Sequence, residues 1–118
     1  MEKITQRKDF DAVMSAGVMA NTVHFALHAN TNTAVTSFRI GAVVPKRWAK
    51  RAVTRNSIKR QIYNMAQSHQ HIRSNLDVVI RLRKAFATSE YISATSAKLK
   101  STVRFELAQL LNVVSTPP

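Results

Sequence analysis

The apolar positions of the chain change period several times, and each change predicts an element. Phe10, Val13 and Met14 recur at i, i+3 and i+4, the spacing of one narrow helical face, with Thr5 as N-cap and Gly17 as stop. From Val23 the period falls to two. Val23, Phe25 and Leu27 point one way and His24, Ala26 and His28 the other, which predicts a half-buried strand. Asn30-Thr31-Asn32-Thr33 makes a polar turn, after which Phe38 to Val44 alternates again, Ile40, Ala42 and Val44 opposite Arg39, Gly41 and Val43. The two runs are expected to pair as an antiparallel hairpin. Pro45 then ends ladder bonding.

A helical seam follows: Ile58, Ile62, Met65 and Ala66 predict a helix from about Arg51 to about His69. Asp77 to Lys84 reads as a third strand, with Val78, Ile80 and Leu82 toward the core and Val79, Arg81 and Arg83 on the other face. Residues 87–95 suit a loop or single turn, Thr95 or Ser96 can cap a last helix buried through Leu99, Val103, Leu107 and Leu110, and residues 114–118 read as a flexible tail. The order helix, strand, strand, helix, strand, helix predicts an α+β fold, with helices on one face of a small, mostly antiparallel or mixed sheet and the second face partly open. If the strands flanking the central helix are neighbours, they are parallel and joined by a crossover. At 118 residues the chain is expected to form one domain, residues 1–118, and it contains no internal repeat.

Charge changes this picture from a fold to a function class. Lys and Arg number 18 against 6 acids, a formal net charge of +12, which repels itself unless a polyanion neutralises it. Glu2, Asp9 and Asp11 lie at one end and Asp77, Glu90 and Glu106 toward the other, so residues 12–76 carry no acid. A charge run is ordinarily a solvated face, but the acid-free middle argues for nucleic acid. Lys46, Arg47 and Lys50 form a basic approach loop, and Arg51 and Arg55 project from a first helical turn whose dipole adds to their field. Asn56, Lys59, Arg60 and Tyr63 follow at i, i+3, i+4 and i+7, one contiguous flank beside the apolar seam. Trp48 reads as a packing anchor for the loop.

Other classes recede. With no cysteine the chain has no disulfide, thiolate metal site or thiol nucleophile. His24 with His28, and His69 with His71, lack a carboxylate or cysteine at ligand spacing, so no protein-held metal is expected. Six scattered acids and no assembled nucleophile argue against a protein-only nuclease. A DNA-reading helix at Arg51 would lack the preceding helix and tight turn of a helix-turn-helix. No apolar run approaches the roughly 18–20 residues of a membrane span and the start is polar, so a cytoplasmic location is expected.

Arg39-Ile40-Gly41, then Pro45-Lys46-Arg47, then the run from Arg51 to Arg60 resembles the bacterial ribonuclease P protein subunit, and the order of elements agrees along nearly the whole chain. The family hallmark is Arg-Asn-Arg followed by a hydrophobic residue and Lys-Arg. It is preserved as Arg55-Asn56, Ile58 and Lys59-Arg60, with Ser57 at its third position, and Tyr63 and Asn64 stand where the family often has a further Arg and Glu.

The resemblance implies a protein that binds a large catalytic RNA and helps it remove the 5′ leader from precursor tRNA. Chemistry would come from the RNA and its magnesium ions, with no catalytic residue, metal site or cofactor on the protein. Lys46, Arg47, Lys50, Arg51, Arg55, Asn56, Lys59, Arg60 and Tyr63 would face the RNA subunit. Phe10, Met14 and His28 would line a cleft for the single-stranded leader, Met14 and His28 replacing common aromatics. Arg81 and Arg83 would either line that cleft or solubilise an exposed sheet face. The family also implies a left-handed crossover. The alternative is a ribosomal or other structural-RNA-binding protein using the same basic surface.

Overall fold

A strand over Leu76–Leu82 occupies the centre of a five-stranded mixed sheet, and its insertion there sets the arrangement of everything else. The computed structural model describes residues 1–69, 71–87 and 97–116. In chain order these form β1 (Glu2–Lys3), α1 (Arg7–Ser15), β2 (Val18–Asn21), β3 (Phe25–Thr31), β4 (Phe38–Val43), α2 (Ala52–Ser68), β5 (Leu76–Leu82) and α3 (Ala97–Val113). The spatial order is β1-β4-β5-β3-β2. β1/β4 and β4/β5 pair in parallel, β5/β3 and β3/β2 antiparallel. The architecture is α+β, and α2 is the crossover between parallel neighbours that the sequence anticipates.

The expected hairpin of β3 with β4 does not form, because β5 lies between them. Val78, Val79 and Ile80 are all buried, so β5 needs cover on both faces and a strand on both sides. The hairpin partner of β3 is β2, entered through a turn in which the Thr22 N–H donates to the Phe25 carbonyl at 2.9 Å. Three of the four β2 residues are exposed, which left no apolar alternation to read.

Helices cover both faces of the sheet, where one covered face was expected. Phe25, Leu27, Ile40, Ile80 and Leu82 pack with Ile58 and Ile62 of α2 and Leu107, Leu110 and Leu111 of α3. On the opposite face α1 sets Val13 against Ile4 and Val79, with Phe10, Met14 and Val43 at the margin. That cover buries Ala26 and His28, so β3 is buried on both faces where it enters the sheet.

Smaller differences concern the ends. α1 is capped at Gln6 without a side-chain bond, so Thr5 is not its N-cap. Gly17 does end that helix, at φ +86°, a left-handed conformation that favours glycine. The stretch expected as a tail is fixed through residue 116: Val114 is buried, Ser115 bridges Ile72, and the Thr116 N–H donates to the His71 carbonyl at 2.6 Å. The loop expected over residues 87–95 and the Thr95 or Ser96 cap lie, beyond Ala87, outside the described residues.

Candidate nucleic-acid interface

The basic loop is built on one carbonyl. Pro45 O accepts from the N–H groups of Trp48 and Ala49, both at 3.1 Å, which closes a tight turn. Ala49 is buried and Trp48 packs half-buried against the core, so Lys46 and Arg47 are left exposed at the tip. The Arg47 guanidinium lies 5.1 Å from the Trp48 ring, a cation–π distance. Arg51 caps α2 with extended backbone, no side-chain cap bond and no acid in the first turn, so the positive helix end is left uncompensated.

Arg55 takes a different part from its neighbours. Its Nη1 donates to Ala49 O at 3.0 Å and Lys50 O at 2.8 Å, so its guanidinium ties the loop to the helix. Asn56, Lys59 and Arg60 are exposed along the flank, while Ser57 is half-buried. Tyr63 closes the row: its hydroxyl accepts the Ala42 N–H at 3.3 Å, beyond the short reach of β1 along the β4 edge. The Lys3 ammonium stands 4.4 Å from the Tyr63 ring, which adds a cation to this surface. Sequence reading missed Lys3, since only folding brings β1 to that edge.

A groove of about 530 Å³ joins this surface to α1, lined by Thr5, Arg7, Phe10, Val43, Pro45 and Lys59. Beneath α1 the register aligns Gly41, Val79 and His28 in one row across three strands. Phe10 sits over Gly41, so closely that a Cβ there would fall under 3.0 Å from the ring. Met14 is half-buried, and both it and Phe10 belong to the packing of α1 on the sheet.

His28 is only 4% exposed, covered by the same helix. Burial, then the Arg81 charge, hold its imidazole below the ordinary histidine range, with the nearby Gly17 backbone opposing weakly. The neutral Nε2 accepts a long contact from Arg81 Nε at 3.4 Å, while buried Nδ1 has no hydrogen-bond partner. Arg81 is half-buried and reaches this face; Arg83 is exposed but its Nε and Nη2 donate to Thr22 O at 2.9 and 2.5 Å. The structure thus groups Phe10, Met14, His28 and Arg81 around α1 and sets Arg83 at the β2–β3 turn.

The Arg39 of the motif is spent inside the protein. It grips Asp77 bidentately, Nε to Oδ1 at 2.8 Å and Nη2 to Oδ2 at 2.7 Å, and reaches Asp9 of α1 at 3.5 Å. Asn32 donates a further bond to Asp77 at 3.0 Å. The Arg39 bonds hold the Asp77 carboxyl below its ordinary range against the opposing effect of burial, and raise Arg39 correspondingly.

Ser115 Oγ lies 3.2 Å from His69 Nε2, the distance of a nucleophile and its base. Ser115 donates to Leu111 O, however, and His69 Nδ1 accepts the His71 N–H, which leaves the proton on Nε2 and no base toward the hydroxyl. Among the described residues, no group of three or more His, Cys, Asp or Glu is placed to hold a metal ion, and no helix is long and apolar enough to cross a membrane.

A family model described as Ribonuclease P matches residues 1–106. The chain is 35% identical to the ribonuclease P protein component of Ralstonia pickettii over 115 residues, 98% of this chain and 80% of that protein. It is 30% identical to that of Chromobacterium violaceum over 95 residues, 80% and 78% of the two chains. The RNase P protein of Staphylococcus aureus superposes with a TM-score of 0.78 at 23% identity, covering 98% of this chain and 99% of that one. For the RNase P protein from Thermotoga maritima the TM-score is 0.74 at 25% identity, covering 98% and 100%. With a matching family model over most of its length, close curated relatives and the same fold, the chain belongs to the ribonuclease P protein family.

Proposed function

We propose that this ribonuclease P protein subunit holds RNA on two adjoining surfaces, one for its RNA partner and one for the substrate leader. The subunit is part of an endoribonuclease complex that processes tRNA. Lys46, Arg47, Lys50, Arg51, Asn56, Lys59 and Arg60 contact the RNA subunit, with Arg55 and Tyr63 setting the loop and flank that present them. Phe10, Met14 and Arg81 meet the single-stranded leader, and His28 acts from beneath by orienting Arg81. Cleavage is carried out by the RNA with magnesium ions that the RNA mainly binds, and the complex works in the cytoplasm.

The observation that carries this reading is the exposed flank of α2 at an uncapped helix start. Cations there meet phosphates without a competing acid, and neutralisation releases counterions. Family membership over residues 1–106 favours it over a ribosomal or other structural-RNA protein. Reconstitution tests it: added to a bacterial ribonuclease P RNA at low magnesium, the protein should restore leader removal, and digestion of the RNA should abolish activity. RNA binding without any stimulation of cleavage would contradict the proposal.

A further inference from the structure

Away from α2, the β2–β3 turn faces α3 across a groove of about 470 Å³. Three apolar side chains stand exposed around it: Phe105 at 66%, Val23 at 56% and Val113 at 44%. Single exposed apolar residues are ordinary; here three gather on one groove and form a small apolar patch. Thr102, Phe105 and Gln109 share a face of α3 at i, i+3 and i+7, and Asn21 and Thr22 form the opposite wall. The groove therefore offers a π-face beside neutral amides that both donate and accept hydrogen bonds.

Its electrostatics favour an anion-bearing ligand. Arg83, bonded through Nε and Nη2 to Thr22 O, places a guanidinium on the turn that walls the groove. The one acid at the groove, Glu106, is 5% exposed and gives both oxygens to His24, at 2.8 Å to the backbone N–H and 2.6 Å to Nδ1. Among the described residues, β2, β3, β5 and α3 present no exposed carboxylate. A second copy of the chain would bring like charge to like charge on a molecule of net charge +12.

We infer that this groove is a separate site for single-stranded RNA, in which one unpaired nucleobase stacks on Phe105. The base edge meets the Asn21 and Gln109 amides and an adjoining phosphate meets Arg83. Stacking on an aromatic side chain tolerates any base, and unpaired nucleotides are the form of RNA that exposes one. The site is independent of the α2 surface. Resting on the proposed function, which seats the substrate leader at α1, its RNA is an unpaired segment of the ribonuclease P RNA.

The test is an NMR titration of the labelled full chain with a six-nucleotide single-stranded RNA of mixed sequence, and with a duplex of equal length. The single strand should shift the Phe105 ring and the Asn21 and Gln109 side-chain amides, and the duplex should not. Phe105→Ala should weaken binding at those resonances at least fivefold and Phe105→Trp should retain it, both leaving the Lys59 and Arg60 shifts unchanged. Shifts confined to α1 and α2 would overturn the site while leaving the α2 reading intact. A Phe105→Ala variant that binds oligonucleotide normally but loses self-association in sedimentation would also overturn it, in favour of a protein contact. Phe105→Ala should also weaken binding to ribonuclease P RNA alone, and a loss seen only with precursor tRNA would overturn that occupant in favour of substrate. No effect on either overturns the site.

Discussion

The ring of Phe10 rests against the α-carbon of Gly41, on ground that any larger residue would occupy. Gly41 is in the extended strand β4 and needs no unusual φ, so the requirement is space alone. Gly41→Ala should cost about 1–3 kcal/mol, the usual penalty of overpacking. Adding Phe10→Ala should relieve most of it, giving a coupling of at least about 1 kcal/mol in urea unfolding of the four proteins of the cycle. Additive losses would show that the ring can move aside at no cost.

Lys59 and Arg55 sit one turn apart on α2 and should fail differently. Lys59 is exposed, so Lys59→Ala should weaken binding to ribonuclease P RNA and lower the salt slope of log K by about 1. Arg55 holds the Ala49 and Lys50 carbonyls, and Arg55→Ala should act through the loop. Hydrogen exchange at residues 46–51 should rise in Arg55→Ala and stay unchanged in Lys59→Ala. Equal exchange in both variants would remove the anchoring role of Arg55.

How much of this was legible depended on whether one strand carried its own signal. The period-two runs of β4 and β5 and the seams of α2 and α3 declared themselves because each element has a buried face of large aliphatics. β1 and β2 did not: one is two residues long and the other mostly exposed, and their pairing is a property of their neighbours. The basic flank was readable from spacing, but which cation points outward was not. Arg55 reads as an RNA contact in sequence, and only the turn at Pro45 brings the Ala49 and Lys50 carbonyls within its reach.

Arg39 and Asp77 make a pair whose removal should be asymmetric with that of Asp9. Asp77 is 5% exposed, and Arg39→Ala would leave its buried carboxylate without a countercharge and with the Asn32 amide as its remaining side-chain donor, a loss of about 3 kcal/mol. The Asp9 contact is longer, at 3.5 Å, and its side chain is 27% exposed, so Asp9→Ala should cost less than about 1 kcal/mol. Thermal unfolding of the two variants gives the comparison, and similar losses would mean that Arg39 works mainly by clamping α1 to the sheet.

The same residues predict how stability responds to acid in two separate windows. His28 resists protonation in the fold, because of burial and then Arg81, whereas the unfolded chain takes that proton near the ordinary value of about 6.5. Unfolding thus takes up a proton as pH falls below that value, and stability declines from there toward the lower folded value. Asp77 and Glu106 behave in the later window. Arg39 holds Asp77 down; at Glu106 burial pushes up but the nearby Thr22 hydroxyl, outside hydrogen-bond geometry, and the His24 bonds outweigh it. Both acids stabilise the fold above their unfolded values near 4, and that stabilisation is lost as pH falls through those values toward the lower folded ones. Urea unfolding at pH 7.5, 5.5 and 3.5 should show the wild type weakening at each step. His28→Gln should flatten the first step and leave the second, since only the histidine titrates between them among these three groups. An unchanged first step in His28→Gln would mean that the buried imidazole does not set the upper window.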